Sequence, residues 1–421
     1  MKVKIFFSAC LLLSLIYTGY SQIKIQDNTV GKNIIIPSKV LNQDRKIQIL
    51  LPKDYNKTSK GYPVIYILDG QRLFHHAISI SQSFKQFKLT PDFIIVGINN
   101  TYPDRFGHFS TGTASFLNFI SNEVIPFVDQ KYNTSQERLL FGWEYGGGFV
   151  IEAMTKKLKL FKGYIAASPF PIQVSNLPVS TRRVKRLDSI LENHPNSFLY
   201  FTSAINEGMV TEGAEYLKNK LESKSPKNLR WNYIKLQNEE HRSTPYHTLY
   251  HGVKQYYYNY KELTFHNLKE YQQLGGMDYV ISYYKKRAER FGFSEDIAQG
   301  TMWSLVRKSF DENNYTAFDS FIKEFKPKGF LEKLRTNWGC TFAEFYLKHN
   351  QPEKAKVLYD IYIHKSPNSA RSLNGMGDVY RELKHKEKAT IYYKKAIKLA
   401  KENADWRLEE YKKDLEDLDK K

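Results

Sequence analysis

The sequence predicts an α/β unit, a mainly parallel sheet with helices on both faces, followed by an all-α helical unit. Three observations carry this. Apolar strand-length runs alternate with helix-length amphipathic segments between residues 62 and 236, the pattern of strands buried on both faces. An apolar strand, Arg138-Leu139-Leu140-Phe141, runs through a glycine-rich turn straight into a helix, Phe149-Val150-Ile151-Glu152-Ala153-Met154. After about residue 265 strand patterns stop, and the chain becomes helical, charged and rich in tyrosine. The expected divisions are a leader at 1–21, the α/β unit at 22–265 and the helical unit at 266–421.

The leader has the three parts of a secretory signal: basic Met1-Lys2-Val3-Lys4, an apolar core from Ile5 to Tyr17, and small residues in Gly19-Tyr20-Ser21. It implies a secreted or periplasmic protein. Cys10 lies too early in the apolar core for a lipoprotein signal. No later run reaches the roughly 18–20 apolar residues of a membrane span, and the mature chain retains one cysteine, Cys340, so no intrachain disulfide can form. Residues 23–36 and 45–52 have the pattern of opening antiparallel strands. Tyr62 to Asp69 is a buried strand closed by a turn, a helix follows around 72–87, and Asp92 to Asn99 is the next strand. Ser115 to Lys131 carries helical apolar spacing through Phe116, Phe119, Ile120, Val124, Ile125 and Val128. Beyond the glycine turn, strands are expected at Gly163–Pro169, Phe198–Thr202 and Trp231–Leu236.

In the second unit Tyr346, Ala355 and Tyr359 recur as Tyr380, Ala389 and Tyr393, each 34 residues on. Small residues at a helix crossing with an aromatic one turn later resemble the tetratricopeptide repeat, with Ala317 and Phe321 as a degenerate earlier unit. A plain helical bundle would use the same residues. Trp406 to Lys421 is charged on most faces, as a solvated capping helix would be.

The chain has 421 residues, room for two or three domains, and its hydrophobic content of 41% supports well-formed cores. The formal net charge is +19, but lysines are interleaved with acids throughout and no Arg-rich stripe or nucleic-acid motif is present. Nucleic-acid binding is therefore not expected. The basic surface suits solubility or attraction to acidic polymers.

The segment Phe141-Gly142-Trp143-Glu144-Tyr145-Gly146-Gly147-Gly148 has the strand–tight turn–helix layout of the nucleophile elbow of α/β hydrolases. Around it lie Tyr62-Pro63-Val64, Leu68-Asp69-Gly70, Val96-Gly97-Ile98, the stretch from Phe116 to Tyr132, Ser168-Pro169 and Glu240-His241, in that order. Together they resemble the putative-esterase family, which includes D-type and enterochelin-type esterases. The resemblance covers residues 45–262 and implies the α/β-hydrolase fold and a small acyl or ester-like ligand. No cofactor or metal is implied.

Such a site needs a nucleophile at the elbow tip, a histidine after the last strand and an acid that orients it. By position these are Glu144, His241 and Glu207, with Glu212 in reserve. Backbone N–H groups of Tyr145 and Gln71 would form the oxyanion hole. His247 and His251 lie four apart on a helix, a spacing two metal ligands could use, but without a third ligand they form an exposed stripe. Ser168, the nearest serine, belongs to a strand end.

The family pattern has Gly-His-Ser-x-Gly-Gly where this chain has Gly-Trp-Glu-Tyr-Gly-Gly. A carboxylate attacking an ester would form an anhydride, a poor intermediate. It could also fold back on the oxyanion N–H groups, and beside His241 it favours imidazolium, removing the base. Loss of a serine triad typically costs roughly 10⁶-fold. The sequence thus points to a catalytically silent or impaired esterase homologue that binds a ligand, or a protein or peptide partner through the helical repeats. The alternative is an active hydrolase using Glu144 with His241 and Glu207. Carboxylates do serve at this elbow in relatives that attack sp³ carbon, but those use the shorter Asp.

Overall fold

The computed structural model describes residues 30–56, 60–156, 159–174, 177–183, 185, 197–224 and 227–420. The expected leader, Cys10 with it, lies outside the described residues. The chain divides into two compact units, one ending at Tyr256 and the other beginning at Tyr257.

The first unit is built on a sheet that contains eight strands of the described residues, in the order β1-β2-β4-β3-β5-β6-β7-β8. Strands β1 (Lys32–Ser38) and β2 (Gln43–Leu50) form an antiparallel pair, and β2 runs antiparallel to β4 (Ile94–Ile98). From β4 onward, through β3 (Tyr62–Leu68), β5 (Thr134–Trp143), β6 (Gly163–Ala167), β7 (Ser197–Ala204) and β8 (Leu229–Leu236), all pairs are parallel. The central strands are continuous apolar runs because both faces are covered. Ile65, Val96, Leu140 and Ile165 are all buried. The covering helices include α1 (Gly70–Gln86), α2 (Asp104–Phe109), α3 (Thr113–Phe119), α4 (Ile125–Lys131), α5 (Tyr145–Lys156), α6 (Met209–Lys224) and α7 (Thr244–Tyr256).

Of the expected opening segment, residues 23–29 lie outside the described residues, and the described strand begins at Lys32. One expectation is refined. The single helix expected over 115–131 is divided by a π-turn at Ile120–Val124. Pro126 stands just inside α4, where it has no N–H to donate and its ring crowds the carbonyl four residues back. The wider turn accommodates both.

In the second unit, helices at Thr336–Lys348, Pro352–Lys365, Ala370–Glu382 and Lys386–Glu402 follow one another through short turns. The two periodic tyrosines pack against glycines of the one helix Ala370–Glu382. A Cβ on Gly375 would come within 2.1 Å of the Tyr359 ring, and one on Gly377 within 2.5 Å of Tyr393. Both tyrosines and the alanines Ala355, Ala389 and Ala396 are fully buried. Asn267, Asn314 and Ser369 cap their helices by accepting the backbone N–H three residues on. Cys340 is buried beside the Ser372 hydroxyl.

Candidate active site

Parallel α/β sheets bind ligands beyond the carboxyl ends of their strands, and four such ends meet here. Strand β5 ends at Trp143 and α5 begins at Tyr145, so Glu144 alone makes the turn, at φ 58. That left-handed conformation costs a non-glycine residue of the order of 1–2 kcal/mol, and the surrounding backbone enforces it. Glu144 N–H donates to Ala167 O, and Glu144 O accepts from the N–H groups of Gly148 and Phe170. The turn's closeness dictates its glycines. A Cβ on Gly142 would lie 2.4 Å from Gly146 O, and one on Gly147 2.7 Å from Ala167 O.

His241 follows β8 and Glu207 follows β7. The imidazole Nδ1 lies 2.6 Å from Glu207 Oε1, while Glu207 Oε2 accepts the N–H of Ala204 at the strand end. A carboxylate only accepts, so Nδ1 carries a proton and Nε2 is left to act on a ligand. The bond to Glu207 raises the His241 pKa above its ordinary value; burial works against the rise, and the Glu144 charge adds to it. The backbone carbonyl of His241 is held twice, by Trp143 Nε1–H at 3.0 Å and by Thr244 Oγ1–H at 3.0 Å. The Trp143 and His241 rings are 5.0 Å apart.

The Glu144 carboxylate has a partner that the sequence reading missed. Arg105 Nη1 donates to Glu144 Oε2 at 3.0 Å, and the same guanidinium grips Asp69 through Nε and Nη2, both at 2.9 Å. Asp69 is fully buried at the end of β3, itself in the left-handed region at φ 54. Burial raises the Asp69 pKa, and the two bonds from Arg105 oppose that. Nothing in the sequence marks this trio: Arg105 lies in the first turn of α2, 36 residues from Asp69 and 39 from Glu144.

The other expected positions resolve as follows. Tyr145 and Gln71 stand in the first turns of α5 and α1, where backbone N–H groups have no acceptor within the helix. The Gln71 side chain is fixed to both backbone groups of Asn100. Glu212 is exposed in the first turn of α6, and Glu207 is the acid on His241. Ser168 is fully buried, its hydroxyl 2.7 Å from Thr244 Oγ1. His247 pairs with Glu239 at 2.9 Å, and among the described residues no group of three or more His, Cys, Asp or Glu side chains assembles to hold a metal ion. No helix of the described residues is long and apolar enough to cross a membrane.

Glu144, Glu207 and His241 line a cleft of about 600 Å³ whose apolar wall is Phe170, Met209 and Val210. The cleft thus brings together an imidazole hydrogen-bonded to one carboxyl group and a second carboxyl group at the turn. The chain is similar to an uncharacterized protein, YbbA, of Bacillus subtilis, with 28% identity over 165 residues, covering 34% of this chain and 66% of that one. It is also similar to an apo-salmochelin esterase of Escherichia coli, with 25% identity over 135 residues, covering 26% of this chain and 42% of the relative. The matches thus span less than two thirds of these relatives' own lengths. In three dimensions the chain resembles an uncharacterised protein from Capnocytophaga ochracea with a TM-score of 0.54 at 17% identity, covering 87% of this chain and 93% of that one. The profile of the family described as "Putative esterase" matches residues 38–264, more than half of the sequence, and the chain belongs to that family.

Proposed function

We propose that this protein is an exported member of the esterase family whose cleft binds an ester-like ligand without carrying out serine acyl transfer. In this reading Glu144 replaces the elbow serine, His241 and Glu207 are the retained base and acid, and Tyr145 and Gln71 supply the oxyanion N–H groups. The observation that carries it is the ion pair between Glu144 and Arg105 at 3.0 Å. Arg105 donates to Glu144 Oε2 and so occupies an oxygen that attack on an ester carbonyl would need, and the anhydride such an attack would form is a poor intermediate. The carboxylate also favours imidazolium at His241, the form that cannot accept a proton. We further propose that residues 1–21 direct export and that the helical unit is built of tetratricopeptide-type repeats, suited to a protein or peptide partner. Tyr359 and Tyr393, and with them Ala355 and Ala389, are fully buried at positions 34 residues apart, which supports the repeat reading.

The bond between Glu207 and His241 favours a second reading, an active hydrolase using Glu144 with His241 and Glu207. Glu144, as base, would take a proton from a water molecule as that water attacks the ester carbonyl, and imidazolium His241, held by Glu207, would give its Nε2 proton to the departing alkoxide. The proton on Glu144 would then pass to His241 and restore both groups. Ester turnover and fluorophosphonate labelling of the purified protein separate the two. The binding role requires no labelled serine and no hydrolysis of short acyl esters above background, with both appearing in Glu144→Ser. A labelled serine in the wild type rejects the proposal, and turnover without labelling establishes the second reading.

A further inference from the structure

Arg105 is held more firmly than its partner at the elbow. Its guanidinium offers five N–H donors in a fixed plane. Asp69 takes the Nε and Nη2 side as a two-pronged carboxylate grip, and Asp69 cannot turn away, being fully buried in a constrained backbone position. Nη1 is the remaining corner. Glu144 takes it through one oxygen, and the Glu144 side chain is 29% exposed where that of Arg105 is 15%. The fixed pair is therefore Asp69 with Arg105, and the exchangeable partner is the carboxylate that lines the cleft. Two carboxylates already share one guanidinium. The other acids lining the cleft, Glu207, Glu239 and Glu240, add negative charge, so an incoming anion meets repulsion as well as an occupied donor.

We infer that Arg105 is a carboxylate subsite filled from within by Glu144, so that residue 144 decides which ligands the cleft accepts: neutral or cationic ligands enter, and carboxylate-bearing ones are refused while Glu144 stays in place. The subsite is preorganised by Asp69 and needs no rearrangement to accept an external carboxylate once its internal one is removed. Glycine suits position 144 at φ 58 and leaves room for a small acid.

The test uses acetate as the probe, with chloride at matched ionic strength as control, on the full chain. Calorimetric titration and thermal melting of wild type, Glu144→Gly and Glu144→Ser are compared, with Arg105→Gln added in the Glu144→Gly background. The expected result is acetate binding at least about tenfold tighter in Glu144→Gly or Glu144→Ser than in wild type, and its loss in the double variant. Equal acetate affinity in wild type and both single variants, no acetate binding in either single variant, or retention of binding without Arg105 overturns the inference. Ester hydrolysis by the wild type would reject the binding role proposed above and leave this titration untouched.

Discussion

Two glutamates at the start and middle of α5 show opposite ways of placing a carboxylate. Glu152 is 1% exposed and saturated. Its Oε1 accepts from Thr113 Oγ1, Lys156 Nζ and Arg182 Nε, and its Oε2 accepts from Arg182 Nη2 and Arg183 Nε. Arg183 in turn, fully buried, donates to the carbonyls of Phe109, Phe170 and Pro171. Glu152 therefore ties α5 to the loop that supplies the Phe170 wall. Glu144 reaches its cation through one bond and borders open space. Buried charge survives only where every lone pair is answered. A carboxylate with one answered oxygen, at the edge of a cleft, has kept its freedom to respond to a ligand.

The largest expected effect breaks the buried network. Glu152→Ala leaves Arg183 charged and unpaired in the core, a loss of about 3–5 kcal/mol, whereas Glu144→Gln at the half-open site shifts stability by about 1 kcal/mol or less. Urea unfolding midpoints of the two variants measure the contrast, and equal losses would erase the distinction between them.

Acid sharpens the same comparison. Burial would raise the Glu152 pKa, but the bonds from Arg182 and Lys156 outweigh it and hold the carboxyl at about 2, against an ordinary 4.5. A depressed folded value means stability present above pH 4.5 and lost as pH falls through about 2; the difference corresponds to about 3 kcal/mol. Stability followed from pH 6 to pH 2 should show this loss in wild type and not in Glu152→Gln.

His241 titrates with the opposite sign. Its pKa is raised by the Glu207 bond and the Glu144 charge, so the stability it contributes is complete below about pH 6.5 and disappears as pH rises through the higher folded value. Glu144→Gln should move the imidazole titration, read by NMR, to lower pH. An unmoved titration would mean that Arg105 already cancels the elbow charge.

The smallest effect is expected from Trp143→Phe. It removes the indole N–H from the His241 carbonyl but leaves an aromatic ring and the Thr244 hydroxyl bond. A loss of about 1 kcal/mol or less in thermal unfolding fits one hydrogen bond of two.

Local chemistry made the first unit readable as sequence. Strand and helix announce themselves by apolar period, and the elbow by glycines whose Cβ atoms would collide with backbone a few residues away. The chain order of Glu144, Glu207 and His241 then follows from strands whose ends share one edge of the sheet. Arg105 gave no such signal, because nothing in Tyr102-Pro103-Asp104-Arg105 differs from an ordinary polar turn. Its two carboxylates were chosen by which charges the fold buries side by side, and the same holds for Arg183 on Glu152 and for the Trp143 indole on a carbonyl 98 residues away. By itself the sequence determined the α/β architecture, the helical second unit and the presence of an acid at the elbow tip. Only the tertiary structure decided where that acid points, because the direction of a carboxylate is set by the nearest desolvated cation, and proximity between distant residues exists only once the sheet has formed.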